Sequence, residues 1–299
     1  MEKKSQLGLV GLGLLGGALG RRLVSQGWPV KGFDLDHQAR AHFATIGGRA
    51  CNSLEEALEG CSIIILCLPN SDISHDVLDS ILSEKFSDVR ADSLTILDTT
   101  TGAPDRMIAN GELARSHGVD YFDACVGGSS SEAERGEAIM MVGGQREFGP
   151  DCVPVLSSLS EQVFFLPNPG DGAKMKLVTN LVLGLTRIAL AEGFALSEGL
   201  GVDLSRTLEI LQAGPARSHA MKVKGSKMIA RDFHPQAKLS QHLKDVRLIT
   251  QMASQLKISL PMSDLHEKIL DLCEDEGWGD LDNSCVVQAY FLSKTAKLR

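Results

Sequence analysis

Short apolar runs alternate with helical patterns through the first half of the chain. Runs of four to seven apolar residues that end at Gly, Pro, Asn or Asp are typical of buried strands, whereas apolar residues three and four positions apart indicate helices. Their alternation predicts a mostly parallel, doubly wound sheet. The predicted strands are 7–10, 29–33, 62–68, 94–98, 121–124, 138–142 and 162–165, and the predicted helices are 13–25, 54–58, 73–82 and 105–116.

The period changes after the turn-forming segment 167–170, whose sequence is Pro-Asn-Pro-Gly. From there the apolar positions fit helices alone, beginning with one long helix over 172–200. The length of 299 residues also favours two domains. We therefore predict an α/β domain over 1–168 and an all-helical domain over 169–299. The further predicted helices are 204–213, 219–229, 237–256 and 261–276.

The first strand leads into a glycine-rich turn, Gly11-x-Gly13-x-x-Gly16. A charged start before an apolar run is also how a signal peptide begins, but no small-residue cleavage site precedes Arg21-Arg22. Strand, glycine turn and helix together are the dinucleotide-binding arrangement of a Rossmann-type domain, in which the glycines allow a tight turn and close approach of a pyrophosphate. The residues predicted to bind the cofactor here are Gly11, Gly13, Leu14, Leu15 and Gly16.

An acidic residue, Asp34, ends the second predicted strand, 18 residues after Gly16. An acid at this point accepts hydrogen bonds from the adenosine ribose hydroxyls and repels a 2′-phosphate. We therefore predict NAD as the cofactor, with NADP less favoured. Asp36 is an alternative candidate for the same role.

Composition and charge narrow the classes of partner. The net charge is −8 and the sequence has no run of basic residues beyond pairs, so neither nucleic acid nor an anionic membrane is expected to bind. The cysteines number seven and form no C-x-x-C pair, which favours reduced thiols and a cytoplasmic location. The histidines show no ligand spacing, so no metal site is predicted. The longest later apolar run, 63–68, is too short to span a bilayer.

Two lysines open the long predicted helix, and one has a polar companion. Asn180 lies four residues after Lys176 and therefore shares its helix face, whereas Lys174 lies nearly on the opposite side. If that face looks onto the nicotinamide, Lys176 can give a proton to a carbonyl oxygen during reduction or take one from a hydroxyl during oxidation, while Asn180 holds the same oxygen. The alternative is that both are ordinary solvated polar residues of a helix.

Taken together, these motifs resemble the β-hydroxyacid dehydrogenase family over essentially the whole chain. That family's D-x-S-T-x-x-P appears as residues 98–104, its D-A-P-V-S-G-G as 123–129 followed by Ala133 and Gly136, its G-x-G-x-x-x-K-x-x-x-N as residues 170–180, and its late K-D pair as Lys244-Asp245. The resemblance implies a Rossmann-type domain, a long interdomain helix and a helical domain that forms homodimers or homotetramers. It also implies that Lys176 is the catalytic acid/base assisted by Asn180, and that Leu68, Pro69, Thr101 and Lys244 contact the cofactor.

This chain departs from the family in the loop that binds the substrate carboxylate. Gly127 stands where the family has serine, so that hydroxyl is lost, and Ser129 two residues later is a candidate to restore it. Backbone donors survive side-chain changes, so Gly127, Gly128 and Ser129 are the predicted substrate-binding residues. The specific acid stays undetermined.

The leading hypothesis is an NAD-dependent oxidoreductase that interconverts a small 3-hydroxy carboxylate and its 3-oxo acid or semialdehyde. An NADPH-linked semialdehyde reductase and a catalytically silent NAD-binding scaffold or sensor are the alternatives. Because relatives of the silent class tend to lose the catalytic lysine, retention of Lys176 and Asn180 argues against the scaffold. A 6-phosphogluconate dehydrogenase is disfavoured by length, and an imine reductase by the retained lysine.

Overall fold

A computed structural model describes residues 4–87, 93–144, 149 and 151–292 of the chain. The chain folds into two compact units, Met1–Lys176 and Leu177–Arg299, which we call the sheet unit and the helical unit. The sheet unit contains eight strands in the order β3-β2-β1-β4-β5-β6-β7-β8. They are β1 (Leu7–Val10), β2 (Val30–Phe33), β3 (Arg49–Ala50), β4 (Ile63–Leu66), β5 (Thr95–Asp98), β6 (Asp120–Gly127), β7 (Ile139–Gly143) and β8 (Val163–Leu166).

The strand directions give a doubly wound sheet with one reversal. Neighbouring strands are parallel except for β6 and β7, which pair antiparallel. The central strands β1, β4 and β5 are buried along their whole length, because helices cover both faces of the sheet. The helices of this unit are α1 (Leu14–Ser25), α2 (His37–Thr45), α3 (Leu54–Leu58), α4 (Ser71–Leu82), α5 (Pro104–Ser116), α6 (Ser130–Arg135) and α7 (Cys152–Leu159).

Two apolar cores fill the two faces of the sheet. One packs Leu19 and Leu23 of α1 with Leu156 of α7 over the sheet, and the other packs Leu78 of α4 with Ile64 of β4 on the opposite face. Alternate residues of β1 and β4 enter opposite cores, as the period of two in a strand requires.

One continuous helix, α8 (Asp171–Gly199), starts in the sheet unit and continues into the helical unit. Phe194, Leu208, Leu243 and Ile269 contribute to the apolar core of this unit. Its second and third helices start at side-chain caps, Asp203 and Ser218, which accept hydrogen bonds from backbone N–H groups. The remaining helices are α9 (Leu204–Ala213), α10 (His219–Ala230), α11 (Leu239–Gln255) and α12 (Pro261–Asp275), followed by the 3-10 segment Asn283–Phe291.

The predicted fold class is confirmed, and the main errors concern short elements. The sequence pattern does not predict α2, α6, α7 or the two-residue strand β3. Helix α2 buries only Phe43, so it has no apolar stripe to detect. Helix α6 has no apolar face either and depends on a capping box in which Ser129 and Glu132 exchange hydrogen bonds.

One helix among the described residues, α8, is long and apolar enough to cross a membrane by length and composition. No continuous apolar run of that length marks it in the sequence, because polar residues interrupt it. Such a helix is only a weak indication of a membrane, since the core helix of a soluble protein has the same length and composition, and 39% of its most apolar window is buried.

Candidate active site

Three loops meet at one edge of the sheet because the strands before them are in register. Val10 pairs with Leu66, Leu66 with Asp98, and Asp98 with Asp123. The loops after β1, β4 and β5 therefore leave the sheet side by side, at the carboxyl edge where ligands of doubly wound sheets bind. These loops contain the glycine turn, the Leu68-Pro69 pair and Thr101, which are all predicted cofactor residues.

The three glycines of the first loop meet different constraints. Gly11 has φ +93°, and a Cβ there would lie 2.2 Å from the carbonyl oxygen of Cys67. A Cβ on Gly16 would lie 1.9 Å from the carbonyl oxygen of Gly11. A Cβ on Gly13 would meet no protein atom within 4 Å. The fold therefore explains Gly11 and Gly16, whereas the space beside Gly13 is open for a ligand.

Helix α1 begins at this open space. Gly13 is its N-cap and has no side chain, so no side-chain oxygen accepts the N–H groups of the first turn, which includes Leu14 and Leu15. Unpaired N–H groups and the positive end of the helix dipole attract a phosphate. The geometry fits the pyrophosphate of a dinucleotide.

Asp34 follows β2 and is tied to the glycine turn. Its carboxylate accepts hydrogen bonds from the backbone N–H of Leu12 at 2.7 Å and of Asp36 at 2.8 Å. Asp36 instead caps α2, where its side chain accepts from Gln38 N–H. Asp34 rather than Asp36 is thus the acid beside the turn. Sequence reasoning missed Arg40, whose guanidinium donates to the carbonyl oxygens of Asp34 and Leu35.

The loops after β4 and β5 are joined to each other. The N–H of Leu68 donates to the hydroxyl of Thr100 at 3.0 Å, and the N–H of Thr100 donates to the Asp98 carboxylate at 3.0 Å. The hydroxyl of Tyr121 donates to the same carboxylate at 2.8 Å. Burial raises the pKa of Asp98, partly offset by these hydrogen bonds. Thr101 lies directly after this network and is half-buried.

A second buried carboxylate, that of Asp123, holds the start of α8. It accepts hydrogen bonds from the N–H of Gly170 and of Ala173, both at 2.8 Å. A Cβ on Gly172 would lie 2.5 Å from the carbonyl oxygen of Asp123, so the helix start approaches the strand closely. Burial raises the pKa of Asp123 to about 6, against the opposing effect of the two N–H donors. Asp123 thereby connects β6 to the helix that carries Lys176.

The two lysines at the start of this helix differ in exposure. Lys174 is exposed and forms an ion pair with Asp171 at 2.8 Å, whereas Lys176 is 9% exposed. Asn180, one turn later, is also buried. Their separation of four residues sets them about 40° apart around the helix axis. Two buried polar groups therefore share one face.

Asp245 on α11 fixes the orientation of Asn180. Its carboxylate accepts a hydrogen bond from Nδ2 of Asn180 at 2.8 Å and forms an ion pair with Lys244 at 3.1 Å. Because the amide nitrogen is held by Asp245, the amide oxygen of Asn180 is directed by the same contact. The sequence indicates the Lys244-Asp245 pair but not this contact, which joins residues 65 positions apart.

The predicted substrate loop begins at the end of β6. A Cβ on Gly127 would lie 2.8 Å from Cγ1 of Ile139, so the serine of the related motif would require the Ile139 side chain to move. The hydroxyl of Ser129 donates to Glu132 at 2.7 Å and accepts from the Glu132 N–H at 3.3 Å as the cap of α6. The Ser129 hydroxyl is therefore occupied within the capping box. Gly128, between them, has extended backbone with φ +159°.

The described residues contain neither a disulfide nor a cluster of metal ligands. All seven cysteines keep their thiols, and six of them are buried. Over the same residues, no group of three or more His, Cys, Asp or Glu side chains could hold a metal ion.

Comparisons with known proteins cover both units. A family model described as the NAD-binding domain of 6-phosphogluconate dehydrogenase matches residues 6–166. A second model, described as the NAD-binding of NADP-dependent 3-hydroxyisobutyrate dehydrogenase, matches residues 170–290. The first model alone matches more than half of the chain.

Similar proteins span the full length of the chain. A 2-(hydroxymethyl)glutarate dehydrogenase of Eubacterium barkeri is 29% identical, over 97% of this chain and 96% of its own. A cytokine-like nuclear factor, N-PAC of Drosophila melanogaster, is 26% identical over 96% of this chain and 47% of its own. The crystal structure of a 3-hydroxyisobutyrate dehydrogenase from Salmonella typhimurium has a TM-score of 0.86 at 22% identity, covering 95% of this chain and 99% of that one. The chain belongs to the β-hydroxyacid dehydrogenase family.

Proposed function

We propose that this protein is an NAD-dependent dehydrogenase that interconverts a small 3-hydroxy carboxylate and its 3-oxo acid or semialdehyde. Its family membership makes it an oxidoreductase of the hydroxyacid dehydrogenase type with an NAD(P)-binding domain. The observation that carries the proposal is the pair Lys176 and Asn180, both buried on one face of α8, with the Asn180 amide held by Asp245. Buried polar groups in a defined orientation are typical of catalytic residues.

Lys176 is the proposed acid/base. As a free amine its Nζ takes the proton of the substrate hydroxyl during oxidation, and as an ammonium it returns a proton to the carbonyl oxygen during reduction. Asn180 positions the same oxygen through its side-chain amide. When bound, the nicotinamide cofactor supplies the hydride acceptor or donor for the carbinol carbon.

The described residues fit a dinucleotide cofactor. The open space beside Gly13 and the uncapped start of α1 suit a pyrophosphate, and Asp34 has lone pairs left to accept ribose hydroxyls. We propose that Leu68, Pro69, Thr101 and Lys244 complete the contacts with the cofactor.

NAD is the favoured form because Asp34 disfavours a 2′-phosphate. Arg40 supports the alternative, since its guanidinium lies at the Asp34-Leu35 backbone and an arginine there can accept a 2′-phosphate. An NADPH-linked semialdehyde reductase is therefore the second candidate function.

The substrate carboxylate is proposed to bind at Gly127, Gly128 and Ser129. Because the Ser129 hydroxyl already serves the cap of α6, backbone N–H groups of the loop are the favoured donors. The bacterial relative is named for 2-(hydroxymethyl)glutarate, a hydroxy acid of the proposed class. A cytoplasmic location and a homodimer or homotetramer stay predictions.

The direct test is a panel of 3-hydroxy acids assayed with NAD and with NADP by the absorbance of the reduced nucleotide. We expect turnover of at least one small 3-hydroxy acid, faster with NAD. Turnover with NADP alone would support the reductase. Cofactor binding without turnover across the whole panel would support the scaffold alternative, which the likeness to the nuclear factor N-PAC favours.

A further inference from the structure

The buried face of α8 that carries Lys176 and Asn180 continues to a third polar residue, Arg187. Arg187 follows Lys176 by eleven residues, which places it only about 20° from Lys176 around the helix axis. Like the other two it is buried, with 4% of its surface exposed. Between Asn180 and Arg187 the same face carries the buried Gly184 and the half-buried Leu183.

Two nitrogens of the Arg187 guanidinium lack the acceptors that their burial requires. Its Nε and Nη1 are fully buried, and neither has a hydrogen-bond acceptor among the described residues. Burial lowers the pKa of Arg187 to about 10, while the charge of Asp282 opposes this change. The side chain therefore remains a cation at neutral pH.

Asp282, the acid whose charge acts on Arg187, already binds other donors. Both oxygens of Asp282 bond to Nζ of Lys224, at 2.9 and 2.8 Å. The same carboxylate also accepts from the hydroxyl of Ser284 at 2.7 Å and from the N–H of Gln236 at 2.9 Å. Asp282 therefore compensates Lys224 and has no geometry left for a bidentate pair with a second cation.

Two histidines lie beside Gly184, which stands between Asn180 and Arg187 along α8, and they add no negative charge. The rings of His242 and His266 lie 5.2 Å apart, and both pack against Gly184, where a Cβ would lie 2.5 Å from Cε1 of His266. Burial and the charge of Arg187 lower the pKa of His266 to about 4, so this ring is neutral at pH 7. The other carboxylate on this side, Asp245, is bonded to Asn180 and paired with Lys244.

We propose that Arg187 is the binding residue for a second carboxylate of the substrate, which makes the substrate a 3-hydroxy dicarboxylate. A buried guanidinium with unsatisfied N–H donors is costly, and a carboxylate is the group that matches a guanidinium with two bonds. Arg187 lies about 10 Å beyond Asn180 along the helix, and long helical side chains lean towards the N-terminus. A lean of this kind is towards Asn180 and shortens the separation that the carbon chain of the substrate has to span. This inference rests on the proposed function.

The first test measures anion binding without turnover. Thermal unfolding of the whole protein is followed with glutarate, with acetate and with phosphate at equal ionic strength. We expect glutarate to raise the Tm of the parent protein and to have no such effect on Arg187→Met, a substitution of similar length without charge. Without added anion, Arg187→Met should melt at or above the parent temperature, because the unpaired charge is gone.

Two control variants show whether an effect of glutarate on the Tm depends on Arg187. Arg206→Met removes an exposed arginine that is paired with Glu209, so it should respond to glutarate as the parent does. Arg187→Lys keeps the charge but loses the fork geometry, so we expect a weakened response. Equal effects of glutarate on the parent and on Arg187→Met would overturn the proposal, as would an Arg187-dependent effect of phosphate that glutarate does not share.

The second test is kinetic. The ratio of kcat/KM for a hydroxy dicarboxylate to that for a hydroxy monocarboxylate should fall about tenfold or more in Arg187→Met, and stay unchanged in Arg206→Met. An unchanged ratio in Arg187→Met would refute the subsite even though the enzyme is a dehydrogenase. Arg187-dependent binding of glutarate by a protein without turnover of any hydroxy acid would instead refute the proposed function and leave the subsite in place.

Discussion

Substitution of Gly13 by alanine is expected to weaken binding of the cofactor while leaving the stability of the fold nearly unchanged. No protein atom lies within 4 Å of the Cβ that alanine would add. Alanine is a poorer N-cap than glycine, but it also restricts the unfolded chain, and these opposing effects keep the change in unfolding free energy within about 1 kcal/mol. The new methyl group would, however, occupy the space in which the pyrophosphate approaches the N–H groups of α1.

Loss of one charge-assisted hydrogen bond costs about 1.5–3 kcal/mol, so the Kd for NADH should rise at least about tenfold in Gly13→Ala. The assay is titration of NADH fluorescence, with thermal unfolding measured on the same samples. Gly193→Ala is the matched control, because Gly193 is equally open but lies on α8, and it should keep the parent Kd. Gly11→Ala should instead lose stability, because of the clash with Cys67 and the positive φ. Parent affinity for NADH in Gly13→Ala would refute the assignment of the turn.

Three further predictions concern cofactor choice, pH and the support of Asn180. Asp34→Ser combined with Leu35→Arg should shift the kcat/KM ratio towards NADP, since the Leu35 side chain is exposed and has room for arginine; a parent enzyme that already prefers NADP would contradict this. The folded-state pKa of Asp123 is raised to about 6, so its contribution to the free energy of unfolding falls as pH rises from 4 to 7, by about 2 kcal/mol. The stability advantage of the parent over Asp123→Asn in urea should shrink by that amount, and an equal difference at both pH values would refute the burial argument. Asp245→Ala should lower kcat more than it raises KM, because it releases the amide of Asn180, and a pure KM effect would count against that role.

The sequence pattern predicts the elements that bury a continuous apolar face. Helix α8 is predicted as a single helix, and the buried strand β4 is recognisable from its isoleucine run. Helix α2 escapes prediction because its one buried residue, Phe43, leaves no period to detect. The antiparallel pairing of β6 with β7 is also not specified, because residue pattern does not encode strand direction.

In the candidate site, too, features within a short segment are visible in the sequence, whereas contacts between residues far apart in the chain are not. Helix periodicity places Asn180 on the face of Lys176 and not on that of Lys174, but it does not predict that Lys176 is buried while Lys174 is exposed. The bonds of Asp123 to the start of α8 and of Asp245 to Asn180 join residues 47 to 65 positions apart, so only the tertiary fold reveals them. The role expected of the Ser129 hydroxyl is limited by a local contact, its capping box with Glu132. That S-x-x-E spacing is visible in the sequence.

The most direct measurement of the central claim compares turnover and NADH binding in Lys176→Ala. Lys174→Ala is the matched control, since Lys174 is exposed and paired with Asp171 on the same helix. We predict that Lys176→Ala binds NADH with the parent Kd and loses turnover of the hydroxy acid by about a hundredfold or more, while Lys174→Ala stays close to the parent rate. Turnover by Lys176→Ala at the parent rate, with NADH bound equally well, would contradict the proposed role of Lys176 as the acid/base.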